Sequence, residues 1–183
     1  LFSKLSQTDL DWSKVTITLA DDRFLPDTEA DSNERLVKAT LLQHQAAAAT
    51  FISLYAATAT AELAVPELLQ RVNKLPTFDA VILGMGEDGH TASLFPCSKE
   101  ISQGLASDAP DLLAVNPTTA PYQRISFSKQ RLLNSRALFL HLVGASKLTV
   151  LEQAQASQDE LAMPIRAFIH HTVPELAVMF AAK

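Results

Sequence analysis

The chain has 183 residues, of which 48% are hydrophobic, and this is enough apolar sequence for one domain with a substantial core. The formal net charge is −5 and no basic run occurs, so the composition argues against nucleic acid and anionic membranes as partners. Cys97 is the single cysteine, which excludes an internal disulfide and favours a reducing compartment, the cytoplasm. No apolar run reaches membrane-spanning length, and we expect no signal peptide.

The first residues predict a chain that begins inside a larger fold. Residues 1–7 have the pattern of a helix end, and the sequence opens on Leu1 rather than on methionine. We therefore expect residues 1–183 to be a single domain that lacks an amino-terminal portion. The chain contains no internal repeat.

The first predicted strand covers residues 15–20, where large apolar residues alternate with threonine. It is expected to end on Asp21, Asp22 and Arg23. If this strand runs parallel to the strand predicted at residues 80–83, these charged side chains lie at the sheet edge where α/β proteins bind ligands. A solvated turn with a local ion pair is the alternative.

Two helices are predicted between this strand and the centre of the chain. The first covers residues 33–44, with Asp31 or Ser32 as its N-cap. The second covers residues 58–74, with a break or kink at Pro66. The segment between them fits either a helix or a short strand, because alanines are followed by aromatic and β-branched residues.

The most informative stretch is an apolar run, residues 80–83, that is followed at once by glycines and a histidine. The run predicts a strand buried on both faces, as in a parallel sheet. Gly84, Gly86 and Gly89 let the backbone turn sharply and approach a ligand. His90 is then expected just past the carboxyl end of this strand, where open α/β sheets bind ligands.

The glycine spacing also matches the dinucleotide fingerprint G-x-G-x-x-G, which makes an NAD-type oxidoreductase one alternative. The fingerprint requires a long helix at the third glycine and an acidic residue after a second strand. Pro96 lies too close for such a helix, and Asp108 and Asp111 precede an apolar run rather than follow one. A tight turn with a surface histidine is the simplest non-functional alternative.

The carboxyl-terminal half continues the alternation of strands and helices. Strands are predicted at residues 112–115, 124–128, 137–143 and 175–182, and a helix that carries Lys147 follows the third of them. Strands that alternate with helices predict an α/β sheet with helices on both faces.

Five segments together resemble the 6-phosphogluconolactonase family. They are LADDR at 19–23, DSN at 31–33, ILGMGEDGHTASLFP at 82–96, RIS at 124–126 and the G-x-x-K pattern at 144–147. The third segment is the most specific, and the similarity runs the length of the chain. It implies a doubly wound, mostly parallel Rossmann-like sheet whose amino-terminal strands are missing. The family's glycine-serine-threonine-proline loop, which helps to hold the substrate, would be missing with them.

The resemblance implies hydrolysis of 6-phospho-D-glucono-1,5-lactone to 6-phospho-D-gluconate, in the oxidative pentose phosphate pathway. It implies neither a metal nor an organic cofactor. We expect a cytoplasmic monomer whose partner is the small sugar-phosphate lactone, without nucleic acid or membrane partners.

The chemistry of the residues agrees with such a reaction, because ester hydrolysis at neutral pH needs a base whose pKa lies near the working pH. We predict His90 as this base, oriented by Asp21 or Asp88. The other candidates bind the substrate, through backbone N–H groups near the carbonyl or through positive charge near the phosphate. They are Gly84, Gly86, Gly89, Arg23, Arg124 and Lys147.

Two related functions remain as alternatives. Glucosamine-6-phosphate deaminases share the acid-glycine-histidine turn but carry a glutamate five residues after the histidine, which helps to open the sugar ring. Phe95 stands at that position here and cannot transfer protons, so the lactonase is favoured. A non-catalytic sugar-phosphate sensor is the other alternative, because fold alone does not decide function.

Overall fold

The computed structural model describes residues 1–182, in which strands and helices alternate along the chain. The strands are β1 (Thr16–Thr18), β2 (Asp21–Arg23), β3 (Thr50–Ile52), β4 (Val81–Leu83), β5 (Leu112–Val115), β6 (Arg124–Phe127), β7 (Leu138–Val143) and β8 (Leu176–Ala181). The helices are α1 (Phe2–Leu5), α2 (Asn33–Thr40), α3 (Ala61–Val72), α4 (Ile101–Leu105), α5 (Lys129–Leu133), α6 (Ser146–Gln155) and α7 (Arg166–Ile169). The predicted α/β class is confirmed.

Strands β4, β7 and β8 form a parallel sheet with β7 in the centre. Leu83 of β4 pairs with Leu140 of β7, and both are buried on the same face of the sheet. Ile82, between the buried residues of β4, is 45% exposed. The prediction that this strand is buried on both faces is therefore wrong, because the described residues leave the other face open.

A second parallel pair joins β1 to β3, with Thr16 opposite Thr50 and Thr18 opposite Ile52. The segment that fitted either helix or strand thus contains a strand, as its β-branched and aromatic residues favour. Among residues 1–182, three of the five strand pairings are parallel, which agrees with the predicted, mostly parallel sheet.

The remaining pairings are antiparallel and join β2, β6 and β5, with β6 in the centre. Residues 21–23 do not simply end the first strand, as predicted, but form β2, which pairs with β6. Asp21 lies opposite Ser126, and Arg23 lies opposite Arg124. Residues directly opposite each other in an antiparallel pair share one face of the sheet, so this register brings both arginines to the same side.

The helices begin largely where the sequence predicts them. Ser32 is the N-cap of α2, and its Oγ accepts a hydrogen bond from the N–H of Arg35 at 3.2 Å. Helix α3 continues through Pro66, so of the predicted break or kink the break is wrong. One face of α3 carries the fully buried Leu68 and Val72, and this packing holds the helix together across the proline.

The core lies between the sheets and the helices. Its largest fully buried side chains are Phe127, Phe168, Leu54, Leu68, Leu83, Leu94, Leu112, Ile125, Leu132, Leu138, Leu140 and Leu142. Within residues 1–182, no helix has both the length and the apolar character that crossing a bilayer requires.

Candidate active site

A pocket of about 540 Å³ opens where β2, the start of β6 and the segment after β4 meet. The lining residues come from three parts of the chain that lie far apart in sequence, residues 21–33, 84–95 and 120–124. They are Asp21, Arg23, Asp31, Asn33, Gly84, Met85, Gly86, His90, Thr91, Ala92, Phe95, Ala120, Pro121, Tyr122 and Arg124. Histidine, carboxylates and two arginines in one pocket are typical of a site for a small anionic ligand.

The segment after β4, residues 84–90, forms a tight turn that we call the glycine turn. The N–H of Gly86 donates to the carbonyl oxygen of His90 at 2.9 Å, and the N–H of Gly89 donates to that of Gly86 at 3.2 Å. Gly89 has φ +75°, a conformation that favours glycine. Because the N–H groups of Gly86 and Gly89 are used inside the turn, a donor to a substrate carbonyl has to come from other groups.

His90 is held by Asp88 of the same turn. Its Nδ1 lies 2.6 Å from Oδ1 of Asp88, which also accepts the backbone N–H of His90 at 3.1 Å. An ionised carboxylate can only accept hydrogen bonds, so the proton of the neutral imidazole belongs on Nδ1. Nε2 is then the basic atom of a side chain that lines the pocket.

Asp21 lies in the same pocket wall but contacts a different partner. Its Oδ2 accepts a hydrogen bond from Oγ of Ser93 at 2.5 Å, and the backbone N–H of Ser93 donates to Ser126 at 3.1 Å. Burial raises the pKa of the Asp21 carboxyl group, while the bond from Ser93 and the positive charge of Arg124 oppose that rise. Of the two carboxylates predicted to orient His90, Asp88 is the one in contact with the imidazole.

Arg23 is fixed by the start of α2. Its Nη1 donates to Oδ1 of Asn33 at 2.7 Å and to the carbonyl oxygen of Asp31 at 3.3 Å. Asp22 points to the other side of β2, where its carboxylate accepts the backbone N–H groups of Asn33 at 2.8 Å and Glu34 at 3.0 Å. Burial raises the pKa of Asp22, and these two hydrogen bonds oppose the rise. Asp22 is therefore a cap for α2 rather than a pocket residue.

Arg124 is the deeply buried cation of the pocket, with 6% of its surface exposed. Its Nη2 donates to the carbonyl oxygen of Pro121 at 3.1 Å, whereas its Nε has no hydrogen-bond partner among the described residues. Burial lowers the pKa of Arg124, and the like charge of Arg23 lowers it further. A buried donor without a partner is costly, so this guanidinium is prepared for an anionic ligand.

Two predicted binding residues lie outside the pocket lining. The Nζ of Lys147, at the start of α6, lies 2.7 Å from Oε1 of Glu87 in the glycine turn. Gly89 is buried within the turn, where an added Cβ would meet Met163 at 2.7 Å. The structure brings the other predicted site residues to the pocket or, for Asp88, into contact with a pocket residue.

The site also contains residues that the sequence did not single out as candidates for catalysis or binding. Ser93 and Phe95 belong to the segment quoted for the family resemblance, and Asn33 belongs to another quoted segment, so a signal existed for all three. Tyr122 had none, because it lies in an irregular, proline-rich loop. Its hydroxyl donates to the Asp31 carboxylate at 2.9 Å and links the two loops that border the pocket.

Among residues 1–182, no cluster of histidine, cysteine and acidic side chains has an arrangement that could hold a metal ion.

Comparisons with known proteins agree with this geometry. The family model of glucosamine-6-phosphate isomerases/6-phosphogluconolactonase matches residues 1–177. The chain is 42% identical over 182 residues to a 6-phosphogluconolactonase of Rhizobium meliloti (strain 1021), covering 98% of this chain and 78% of the relative. It is 42% identical over 169 residues to a 6-phosphogluconolactonase of Pseudomonas putida, covering 91% of this chain and 69% of the relative.

Solved structures give the same result at the level of the fold. The crystal structure of a 6-phosphogluconolactonase from Shewanella baltica OS155 superposes with a TM-score of 0.94 at 46% identity, covering 98% of this chain and 77% of that one. A monomeric glucosamine-6-phosphate deaminase, at 17% identity and a TM-score of 0.76, shares the fold alone. On the family match and these relatives, the chain belongs to the glucosamine-6-phosphate isomerase/6-phosphogluconolactonase family.

Proposed function

We propose that this protein hydrolyses 6-phospho-D-glucono-1,5-lactone to 6-phospho-D-gluconate. The curated relatives that are 36–42% identical to it are named 6-phosphogluconolactonase. The observation that carries the proposal is the His90–Asp88 pair, 2.6 Å apart, in a pocket that also contains Arg23 and Arg124. A base and two cations in one pocket match an ester substrate that carries a phosphate.

The first step is attack by water on the lactone carbonyl. Nε2 of His90 takes a proton from the water molecule while the water oxygen bonds to the carbonyl carbon, and a tetrahedral oxyanion forms. Asp88 stabilises the imidazolium through Nδ1–H. The bond from the carbonyl carbon to the ring oxygen then breaks, and the imidazolium returns the proton to that oxygen, which becomes the 5-hydroxyl group.

The two arginines provide the positive charge for the phosphate. Their side chains lie on the same face of the β2–β6 pair, so their like charges repel each other. A phosphate dianion between them relieves that repulsion and supplies acceptors for the free Nε of Arg124. We place the phosphate between Arg23 and Arg124, and the lactone ring towards His90.

Asp21 lies beside these cations and balances part of their charge. Its bond from Ser93 fixes the carboxylate in the pocket wall, where it can accept hydrogen bonds from hydroxyl groups of the substrate. We assign Asp21 to substrate orientation and charge balance within the catalytic set, and Asp88 to orientation of His90.

The experiment that tests the function is a turnover assay with three compounds. Hydrolysis of 6-phosphogluconolactone should exceed its spontaneous rate, whereas unphosphorylated glucono-1,5-lactone should be a poor substrate. Glucosamine-6-phosphate should release no ammonia, because the position of the deaminase glutamate holds Phe95. Ammonia release without lactone hydrolysis would instead identify a deaminase, and ligand binding without turnover would identify a sensor.

The cellular setting follows from this activity. We propose that the protein acts in the oxidative pentose phosphate pathway of the cytoplasm, as a monomer with a sugar-phosphate lactone as its only required partner. The net charge of −5 supports the absence of nucleic-acid binding.

A further inference from the structure

Phe95 contacts the imidazole that the proposed mechanism uses. The ring centroids of Phe95 and His90 are 4.1 Å apart, and the ring planes are inclined by 30°, so the two rings are stacked. Only 4% of Phe95 is exposed. A large apolar ring is thus buried in the pocket wall with one face against the predicted base.

The position of Phe95 is fixed by packing that is independent of His90. Phe95 forms a small hydrophobic cluster with Leu113 and Val115, which are 4% and 1% exposed, and the partly buried Cys97 packs against the same cluster. This cluster is separate from the main core of the chain. A close-packed aromatic side chain has few accessible rotamers, so it presents a fixed surface to its neighbour.

The second neighbour of Phe95 in the pocket is the buried cation. The Cζ of Arg124 lies 5.6 Å from the centroid of the Phe95 ring, within the range of a cation–π contact. One rigid ring therefore touches both the base and the guanidinium that the proposed function assigns to the phosphate.

The hydrogen bond to Asp88 holds the Nδ1 edge of the His90 ring. One contact at one edge does not define the plane of the ring, and a tilt of that plane would move Nε2. Gly86 also lies against the ring, because a Cβ at this position would lie 2.1 Å from Nδ1 of His90. The imidazole is thus bounded by a carboxylate at one edge, a backbone on one side and an aromatic face on another.

We propose that Phe95 is a positioning residue for His90, whose ring sets the plane of the imidazole and so the place of its basic nitrogen. This inference rests on the proposed function for the role of His90. In the deaminases, a glutamate at this position helps to open the sugar ring. In this protein, the aromatic ring of Phe95 at the same position orients the base for lactone hydrolysis.

The test compares Phe95→Leu, which keeps an apolar side chain but lacks the flat face, with Phe95→Tyr, which keeps the ring. Leu113→Val is the matched control, because it removes a methylene from the same cluster without touching His90. We expect kcat of Phe95→Leu to fall about 10-fold with KM within twofold, as expected for a misplaced base. Phe95→Tyr should restore most of the loss, and Leu113→Val should keep the wild-type kcat.

A second measurement does not depend on turnover. In two-dimensional NMR of the imidazole nitrogens and carbons, the His90 signals should shift and broaden in Phe95→Leu and return towards the wild type in Phe95→Tyr. Unchanged His90 signals and kcat in a folded Phe95→Leu variant would overturn the proposal. So would an equal loss of kcat in Leu113→Val, because the effect would then come from general packing. Absence of lactone turnover in the wild type, with the NMR response intact, would reject the function and keep the positioning contact.

Discussion

At the scale of single residues, the glycine turn shows which parts of the site the sequence predicts. The sequence predicted that Asp21 or Asp88 orients His90, and the structure contains the contact with Asp88. The structure adds a reason for Gly86 that the sequence did not predict. Gly86 is required because His90 occupies the space of its missing side chain, with a Cβ position 2.1 Å from Nδ1. Whether a side chain at position 86 would clash with His90 depends on the rotamer of His90, which cannot be predicted from the sequence.

Replacement of Gly86 by alanine tests this clearance. The added methyl group would also lie 2.7 Å from Oδ1 of Asp88, so we expect the imidazole to move and kcat to fall by about 10²-fold. Gly84→Ala is the matched variant in the same turn, because nothing lies within 4 Å of its Cβ position. The His90 NMR signals should shift in the Gly86 variant alone. A Gly86→Ala protein with wild-type signals and kcat would show that the turn has room for the methyl group.

The buried Asp21 predicts a pH dependence of stability. Burial raises its pKa in the folded state above the ordinary 3.8, so between these two pKa values the folded protein binds more protons than the unfolded chain. The contribution of Asp21 to the free energy of unfolding is therefore complete below pH 3.8. It is lost as the pH rises through the pKa that Asp21 has in the folded protein. Asp21→Asn keeps an acceptor for Ser93 and removes the titration.

The measurement is the free energy of unfolding in urea from pH 4 to pH 8 for both proteins. Relative to Asp21→Asn, the wild type should become progressively less stable as the pH rises, and the difference should level off above the folded pKa. A difference that is constant, or that changes in the opposite direction, would contradict the assignment of a raised pKa.

At the scale of secondary-structure elements, buried arginines illustrate the limit of sequence reasoning. Arg124, Arg131 and Arg166 are all less than 10% exposed, but their surroundings differ. Arg166 donates to carbonyl oxygens at the end of α6, including that of Ala154 at 3.0 Å. Arg131 donates to the carbonyl oxygens of Leu75 and Pro76. Of these three buried arginines, Arg124 is the one that lines the pocket. The sequence next to each arginine does not show whether the side chain will bind backbone carbonyl groups or an anion, because its partners come from distant parts of the chain.

The cap of α2 carries a prediction at this scale. Asp22→Ala removes the acceptor of the backbone N–H groups of Asn33 and Glu34, so we expect a loss of about 1–3 kcal/mol in stability. Because Asn33 also holds Arg23, KM for the lactone should rise as well. Chemical denaturation and steady-state kinetics measure the two effects.

Ser128→Ala is the control for this cap. Ser128 accepts from the N–H of Arg131 at the start of α5, at the end of β6 opposite to Arg124. This variant should lose about 1 kcal/mol of stability and keep its KM. An equal rise of KM in both variants would show that the α2 cap has no specific link to the pocket.

At the scale of the whole molecule, the site exists because distant segments meet. Asp21 and Ser93 are 72 positions apart and hydrogen-bonded, and Tyr122 and Asp31 are 91 positions apart. The alternation of strands and helices predicted the α/β class and the place of His90 at the end of β4. It did not predict that residues 21–23 pair with β6 as an antiparallel strand, because three polar residues carry no pairing signal. That pairing nevertheless places Arg23 beside Arg124.

The most direct test of the account is the lactone hydrolysis rate of His90→Ala against the wild type, corrected for spontaneous hydrolysis. Circular dichroism and the melting temperature establish that the variant is folded. Loss of the base predicts a fall of about 10²–10⁴-fold in kcat. A folded His90→Ala protein that hydrolyses 6-phosphogluconolactone at the wild-type rate would contradict the assignment of His90 as the base.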